Sequence, residues 1–363
     1  MLHINKPIDQ TTIVVAMSGG VDSSAVAALL HSKGYKVIGI TLQLYDHGMT
    51  LQKKGACCAG QDIYDAQMVA AKLGIPHYVL DYESRFKNQV IDDFADSYLR
   101  GETPLPCVRC NQSVKFVDLL KMARDLGDDG LATGHYVQRI EGENGPELHM
   151  GMDPKKDQSY FLFATSKEQP SFLHCPLGGM SKDQTRKVAE DFGLIVADKP
   201  DSQDICFVPD KNYAKLVSKL RPDAVKSGKI MHIDGFELGT HSGIINYTIG
   251  QRKRIGIAFS EPLYVVRIDP EANIVYVGPE SALASSEFFI KELNWLGLHD
   301  APTEGLEVKV KIRSTRDGVL GCLTPMNDGT IKVRLFVEEK AVARGQACVI
   351  YDKTRVLGGG WIV

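Results

Sequence analysis

The sequence predicts an α/β fold: a parallel-sheet domain with helices on both faces, followed by two small β-rich domains. Three observations predict it. The first half alternates short β-rich runs with helical patterns, as crossover units on a parallel sheet do. After about residue 210 the pattern changes to closely spaced short β runs between Gly, Pro and Asn turns, as in small barrels or sandwiches. The length, 363 residues, is more than one ordinary core organises. Boundaries near 210 and 285 divide the chain into 1–210, 211–285 and 286–363.

In chain order, TTIVVAM (11–17) reads as a strand, and SSAVAALLHSKG (23–34) as a helix with a glycine stop. YKVIGITLQL (35–44) is a strand and QDIYDAQMVAAKLG (61–74) a helix closed by glycine. HYVLDY (77–82) is a strand, SRFKNQVIDDFADSYLRG (84–101) a long helix, VKFVDLLKMARDLG (114–127) a helix and GLATGHYVQRI (130–140) a strand. The stretch LYDHGMTLQKKGACCAGQ (44–61) reads as a long loop. Beyond 210, IINYTIGQRKRIGIAF, PLYVVRIDP, NIVYVGP, EVKVKIRS, GTIKVRLFVEE, QACVIYD and TRVLGGGWIV read as short strands. No internal repeat or low-complexity stretch interrupts them.

Composition excludes several classes. Hydrophobic residues at 44% and charged residues at 24% argue against disorder and fibrous structure. The net charge of −3 means that a nucleic-acid partner must be held by a local basic patch. No apolar run reaches membrane-spanning length and the first residues lack an apolar signal core, so a cytoplasmic protein is expected. Eight cysteines in a large chain of this kind point to reduced, catalytic or metal-binding roles before a disulfide framework.

MSGGVDSS (17–24) joins the first strand to the first helix. Gly19 and Gly20 permit a tight turn, and Asp22, Ser23 and Ser24 open the helix, where backbone amides make an anion site. Ligands of open parallel sheets sit at the carboxyl ends of strands, as here. The lysine of a Walker A loop and the G-x-G-x-x-G pattern are both absent. The plain alternative is a strand-to-helix turn with a Ser or Asp cap.

Cys107 and Cys110 form CVRC in a loop stiffened by Pro104 and Pro106, with a helix expected from about Ser113. A thiol just before a helix N-terminus should have a lowered pKa. A lone C-x-x-C is a redox pair, half of a metal site, or an accident. Cys206 lies about a hundred residues on, in DSQDICFVPD. Cys57 and Cys58, being adjacent, read as incidental or weakly sulfur-reactive, and Cys175, Cys322 and Cys348 as core.

Ser18 to Ser24 resembles the SGGxDS pyrophosphate loop of the PP-loop ATP pyrophosphatases. With TPLPCVRCNQSVKF (103–116), ATGHY (132–136), KKDQSYFL (155–162), KPDSQDICF (199–207), TIGQRKRIGI (248–257) and KIRS (311–314), the chain resembles the bacterial tRNA-specific 2-thiouridylase (MnmA) family along most of its length. The resemblance implies an adenine nucleotide α-hydrolase-like (HUP) PP-loop domain and a three-step reaction. ATP, with Mg2+, adenylates C2 of the wobble uridine of tRNAs such as those for lysine, glutamate and glutamine. A persulfide, loaded by a donor protein, delivers sulfur, and AMP leaves. By motif match, Cys206 carries the persulfide, and Cys110 attacks it and closes a transient disulfide. The ATP site takes Ala16, Met17, Ser18, Gly19, Gly20, Val21, Asp22, Ser23, Leu42 and Gly134. The tRNA contacts fall on Leu105, Pro106, Cys107, His135, Lys156, Asp157, Gln158, Arg313, Ser314 and Gln346.

The chain departs from the family at Cys107, where many members carry an aspartate to which an acid/base role is given. Cysteine is less acidic and cannot simply replace it. The alternative implied by related thiolases is a 4Fe–4S cluster held by Cys107, Cys110 and Cys206. A second departure is Ser314, where many members carry an aromatic residue. For RNA phosphates the sequence offers two basic strips: Lys226, Lys229, Arg252, Lys253 and Arg254, then Lys309, Lys311, Arg313 and Arg316. An amidotransferase or ligase acting on a small metabolite would also use the loop, but it would leave Cys110, Cys206 and the β-domains unexplained.

Overall fold

The computed structural model describes residues 2, 4–45, 58–201, 204–208, 210–299, 302 and 304–363. It divides into two units, the first comprising 1–89, 107–203 and 354–356, the second 90–106, 204–353 and 357–363. The central part of the expected 44–61 loop, Cys57 and the side chain of Cys58 lie outside the described residues, as do Ser202, Gln203 and Pro209.

The first unit is built on a parallel sheet. Its middle strand, β1 (Thr12–Ala16), buries Ile13, Val14 and Val15 completely. Such an unbroken apolar run is what a strand covered on both faces requires. β1 lies between β2 (Lys36–Gln43) and β4 (Gly130–Ala132), β3 (His77–Asp81) lies outside β2, and β7 (Leu173–His174) lies outside β4. Every one of these pairings is parallel. From β1 the chain first winds toward β3 and later returns to the other side as β4. The carboxyl ends of β1 and β4 therefore flank a topological switch point, the place where open α/β sheets bind ligands.

Two helices support these ends. α1 (Val21–Ser32) buries Val21, Ala25, Val26, Ala27, Ala28 and Leu30. α2 (Cys58–Leu73) packs Ala66, Val69 and Ala70 into the same core. The expected strand 130–140 is two elements: β4, then β5 (Val137–Gly142), which forms an antiparallel hairpin with β6 (Gly145–Met150). The break falls at Gly134, where the chain leaves the sheet.

The helix expected from about Ser113 begins seven residues earlier, at Pro106, and runs through Cys110 into a π-helical stretch, Asn111–Leu119, and a last turn, Leu120–Asp125. Proline at a first helical position is a start signal, because its missing N–H is unpaired there anyway.

The second unit holds two β bodies. In the central one the strand order is β10-β11-β8-β9, from β8 (Gly228–His232), β9 (Glu237–His241), β10 (Tyr264–Asp269) and β11 (Ile274–Gly278). Its core is Ile230, Val265, Val275 and Val277. The run IINYTIGQRKRIGIAF was expected to be a strand and is not: after a short turn of helix at Ile244–Asn246 it stays irregular. Gly250, Arg254 and Gly256 all adopt positive φ, outside the extended region of regular strand residues. The C-terminal body takes β12 (Ala284–Trp295), β13 (Leu306–Lys311), β14 (Val319–Pro325), β15 (Ile331–Lys340), β16 (Ala347–Asp352) and β17 (Arg355–Ile362). β12 pairs with both β15 and β17, which closes a six-strand barrel around Ile290, Val310, Leu323, Val333 and Ile350.

Candidate active site

The glycine-rich loop leaves the end of β1 and enters α1, with Gly20 as the N-cap. Its shape is fixed by serines. Ser23 Oγ accepts the Ser18 amide at 3.1 Å and lies 3.3 Å from the Ser18 hydroxyl, and Ser24 Oγ donates to the Gly20 carbonyl at 2.9 Å. Ser23 is buried, and its hydroxyl also reaches the Gly20 carbonyl at 3.3 Å. Two glycines allow neighbours to close on this loop. A Cβ on Gly19, which sits at φ +75°, would lie 2.1 Å from the Asp62 carbonyl oxygen of α2. A Cβ on Gly134 would lie 2.8 Å from the Ser23 amide nitrogen. The turn that follows β4 therefore rests directly on the loop that follows β1. Ala16, Met17 and Leu42 border the same end of the sheet: Met17 is buried, with its amide on the Ile40 carbonyl, and Leu42 pairs with Leu80.

Two side chains meet Asp22, and a cluster of charges continues from it to Asp201. Tyr136 donates its hydroxyl to Asp22 Oδ1 at 2.8 Å, and Lys182 Nζ reaches the same oxygen at 2.7 Å. Lys182 also contacts Asp201 at 2.8 Å, and Lys156 and Arg186 reach Asp201 at 2.6 and 3.0 Å. Desolvation would raise the Asp201 pKa, but hydrogen bonds from Lys156 and Lys182 outweigh it and hold the carboxyl down to about 2. Burial and the Asp22 carboxylate push the Tyr136 phenol up, so it stays a donor. Lys199 donates to the Gly19 carbonyl at 2.9 Å and pairs with Asp62 at 2.7 Å and with Asp65.

Two of the three residues matched to a tRNA-contact segment already serve the fold. Asp157 accepts the amides of Gly151 and Ser159 at 2.9 and 3.1 Å. Gln158 exchanges hydrogen bonds with the Tyr136 backbone at 3.0 and 3.1 Å. Lys156 is half-buried, with its ammonium paired to Asp201. His135 Nδ1 lies 3.0 Å from the Thr133 hydroxyl, its ring edge-on to Phe116. Desolvation, then Lys115, pulls its pKa down to about 3, so the ring is neutral near pH 7.

The cysteines differ from expectation. Cys107 is exposed in the first turn of its helix, whereas Cys110 is buried within that helix. Burial pushes the Cys110 thiol up, with Lys115 opposing and Cys107 adding to the rise. The lowered pKa expected for a thiol ahead of a helix does not arise: the helix starts four residues before Cys110, and burial raises the pKa instead. Leu105 is half-buried and Pro106 buried. Cys206, in the second unit, is exposed on a turn anchored on both sides. Asp204 accepts the Tyr213 hydroxyl, and Phe207 packs edge-on against Phe94, centroids 5.3 Å apart. Cys175 and Cys348 are buried, as expected of core residues, while Cys322 is half-buried. Among the described residues no group of three or more His, Cys, Asp or Glu side chains is placed to hold a metal ion.

Within the second unit a cavity of about 430 Å³ opens between the two β bodies. Gln251 and Tyr264 line one side, and Arg313, Arg316, Lys340 and Gln346 the other. Arg313 is set by donating to the Ala341 carbonyl at 2.7 Å, and Gln346 by donating to Thr103 at 2.9 Å. Ser314 is half-buried beside Arg313. Of the basic strips, Arg252, Lys253 and Arg254 are exposed. Lys229 is paired with Glu237 and Arg316 with Glu339. Lys311 is buried and leaves the expected surface strip.

Three family models match the chain. They are described as tRNA methyl transferase HUP domain over 11–210, tRNA methyl transferase PRC-barrel domain over 217–279 and Aminomethyltransferase beta-barrel domain over 285–362. The tRNA-specific 2-thiouridylase MnmA of Rickettsia bellii (strain OSU 85-389) is 68% identical over 359 residues, 99% of this chain and 98% of that protein. The namesake of Rickettsia conorii (strain ATCC VR-613 / Malish 7) is 68% identical over 99% of this chain and 97% of its own length. Among solved structures, a 4-thiouridine synthetase–RNA complex with bound ATP overlaps 59% of this chain and 51% of its own, at 15% identity and a TM-score of 0.38.

Proposed function

The chain belongs to the MnmA family of tRNA-specific 2-thiouridylases, and we propose that it thiolates C2 of a wobble uridine in tRNA at the expense of ATP. The observation that carries this reading is the serine-shaped loop at the switch point, with the Gly134 turn packed on it and Asp22 set by Tyr136 and Lys182.

ATP with Mg2+ is bound by Ala16 to Ser23, Leu42 and Gly134, its phosphates on the loop amides at the start of α1. The uridine O2 attacks the α-phosphorus and pyrophosphate leaves, so C2 carries AMP as a leaving group. A donor protein loads a sulfane sulfur on Cys206. The Cys110 thiolate attacks the Cys206 sulfur, the S–S bond of the persulfide breaks, and hydrosulfide is released next to C2. Hydrosulfide adds, AMP leaves, and the Cys110–Cys206 disulfide that results is reduced by an external dithiol before the next turnover. A second reading rests on Cys107, which gives a C-x-x-C. There Cys107, Cys110 and Cys206 would hold an Fe–S cluster.

tRNA-dependent pyrophosphate release tests the proposal. Release that requires tRNA and is accompanied by 2-thiouridine in digested tRNA is expected, and release on a small metabolite without tRNA would overturn it. D22N should abolish release, because the carboxylate that Tyr136 and Lys182 hold is lost. K253A with R254A should weaken tRNA binding and lower its salt slope by up to about two units, one per phosphate contact.

A further inference from the structure

Lys199 lies outside every loop that the ATP-site reading uses, yet its ammonium group sits on the glycine-rich loop. It donates to the Gly19 carbonyl at 2.9 Å and is held there by Asp62 at 2.7 Å and by Asp65, both from the first turns of α2. Asp65 is itself fixed by Gln61 at 2.7 Å. The contact has a consequence for the other side of the peptide. In a trans peptide the C=O and the following N–H point in opposite directions. Holding the Gly19 carbonyl toward Lys199 therefore turns the Gly20 amide the other way. Gly20 is the N-cap of α1, so its peptide belongs to the group of amides that meets an anion at that helix end. Residues 19 and 20 are both glycine, and nothing in their own side chains opposes a flip of the peptide between them. A flipped peptide would place a carbonyl oxygen where a phosphate oxygen belongs.

We propose that Lys199 is a positioning residue of the ATP loop: it locks the Gly19–Gly20 peptide in the orientation that presents the Gly20 amide to the triphosphate. The proposal rests on the reading of this loop as the ATP site. It separates two tasks of one side chain. Lys199 balances the Asp62 and Asp65 carboxylates beside a phosphate-binding loop, and it tethers a carbonyl. Only the second is the positioning role.

The test uses the full-length enzyme, with ATP binding measured by equilibrium dialysis and turnover by tRNA-dependent pyrophosphate release. Loss of a charge-assisted hydrogen bond predicts that K199M weakens ATP binding and raises KM for ATP by about ten- to a hundredfold. Its tRNA affinity without ATP should stay at the wild-type value, which a general loss of structure would not allow. K199R, which keeps a charged donor, should recover most of the loss. The triple variant K199M, D62N and D65N removes the charge imbalance but not the defect, so its ATP binding should stay weak. Full recovery in that variant, or wild-type ATP binding by K199M, overturns the proposal. If K199M does not fold, D62N with D65N decides. Lys199 then keeps only the carbonyl, and ATP affinity within about threefold of wild type is expected. A tenfold loss there would assign the effect to the carboxylates. A wild-type enzyme without tRNA-dependent pyrophosphate release sinks the functional reading itself, whereas normal release with an indifferent K199M sinks only this inference.

Discussion

Cys110 and Cys206 stand in opposite surroundings. Cys110 is buried inside a helix, and burial raises its pKa. Cys206 is exposed on a turn, and its neighbours Asp204 and Phe207 are pinned to Tyr213 and Phe94. The difference fits the division of labour proposed for the two thiols. A sulfur carrier has to be reached by a donor protein, so it belongs on the surface, on a turn that does not wander. The thiol that discharges it gains from being shielded and protonated until needed, because an exposed thiolate is the form that oxidants and stray electrophiles attack.

The largest effect expected of that contrast is at Cys206. C206S should abolish thiolation while tRNA-dependent pyrophosphate release continues, because nothing remains to carry sulfur. Thiolation by C206S at a rate comparable with wild type would erase the distinction between the two cysteines. C110S comes next. It too should stop turnover, but with the donor protein and reductant-free buffer a persulfide should build up on Cys206, visible by mass spectrometry of the intact chain. Absence of that species, with Cys206 loaded normally in the wild type, would remove Cys110 from the discharge step.

A smaller and graded effect follows from protonation. The nucleophile is the thiolate, and burial raises the Cys110 pKa, so at neutral pH the reactive form is a minor fraction. Below that pKa the fraction increases about tenfold per pH unit. Sulfur release from pre-loaded Cys206, followed in single turnover, should therefore speed up as pH rises from neutral into the alkaline range. A flat profile would mean that Cys110 ionisation does not limit release, and that its burial is relieved once tRNA is bound.

Parts of this site were legible in the sequence for physical reasons. The strand–glycine–helix pattern around Ser18 to Ser24 is local, since turn geometry and cap chemistry need adjacent residues. Gly134 could be placed because the family motif carries it. Tyr136, Lys182, Lys199 and Asp201 were not assigned to the ATP loop, because what they do is set by tertiary pairing. Lys182 meets Asp22 and Lys199 meets Gly19 from sequence separations of 160 and 180 residues, and no periodicity records that. The start of the Cys110 helix was missed although its signal was present: Pro106 marks a first helical position. Reading Pro106 as loop-stiffening put the helix too late and the Cys110 pKa in the wrong direction. Lys311 was misplaced because it sits at the end of β13, where Val310 and Lys311 are both buried and the strict alternation of a strand no longer holds.

The smallest effect is expected at Cys107, and it decides how far the contrast between the other two extends. Cys107 is exposed and three residues from Cys110 on the same helix. Helical positions three apart share a face, so Cys107 acts on Cys110 through space, adding to its raised pKa. In the persulfide mechanism it forms no bond to sulfur in transit. C107S should then leave thiolation within about threefold of wild type, with release slightly faster near neutral pH because one source of the raised Cys110 pKa is gone. In the cluster reading Cys107 is a ligand equal to Cys110 and Cys206, and its loss is as severe as theirs. C107S and the wild type should be purified without oxygen and assayed for iron, visible absorption, pyrophosphate release and 2-thiouridine. Pyrophosphate release should survive in C107S under either mechanism, since the ATP loop is formed by other residues. Thiolation that survives with it, from protein that carries no iron, leaves two working cysteines of opposite exposure. Thiolation lost together with iron and a brown chromophore would instead make the three cysteines equivalent, and the contrast between Cys110 and Cys206 would describe only the metal-free state.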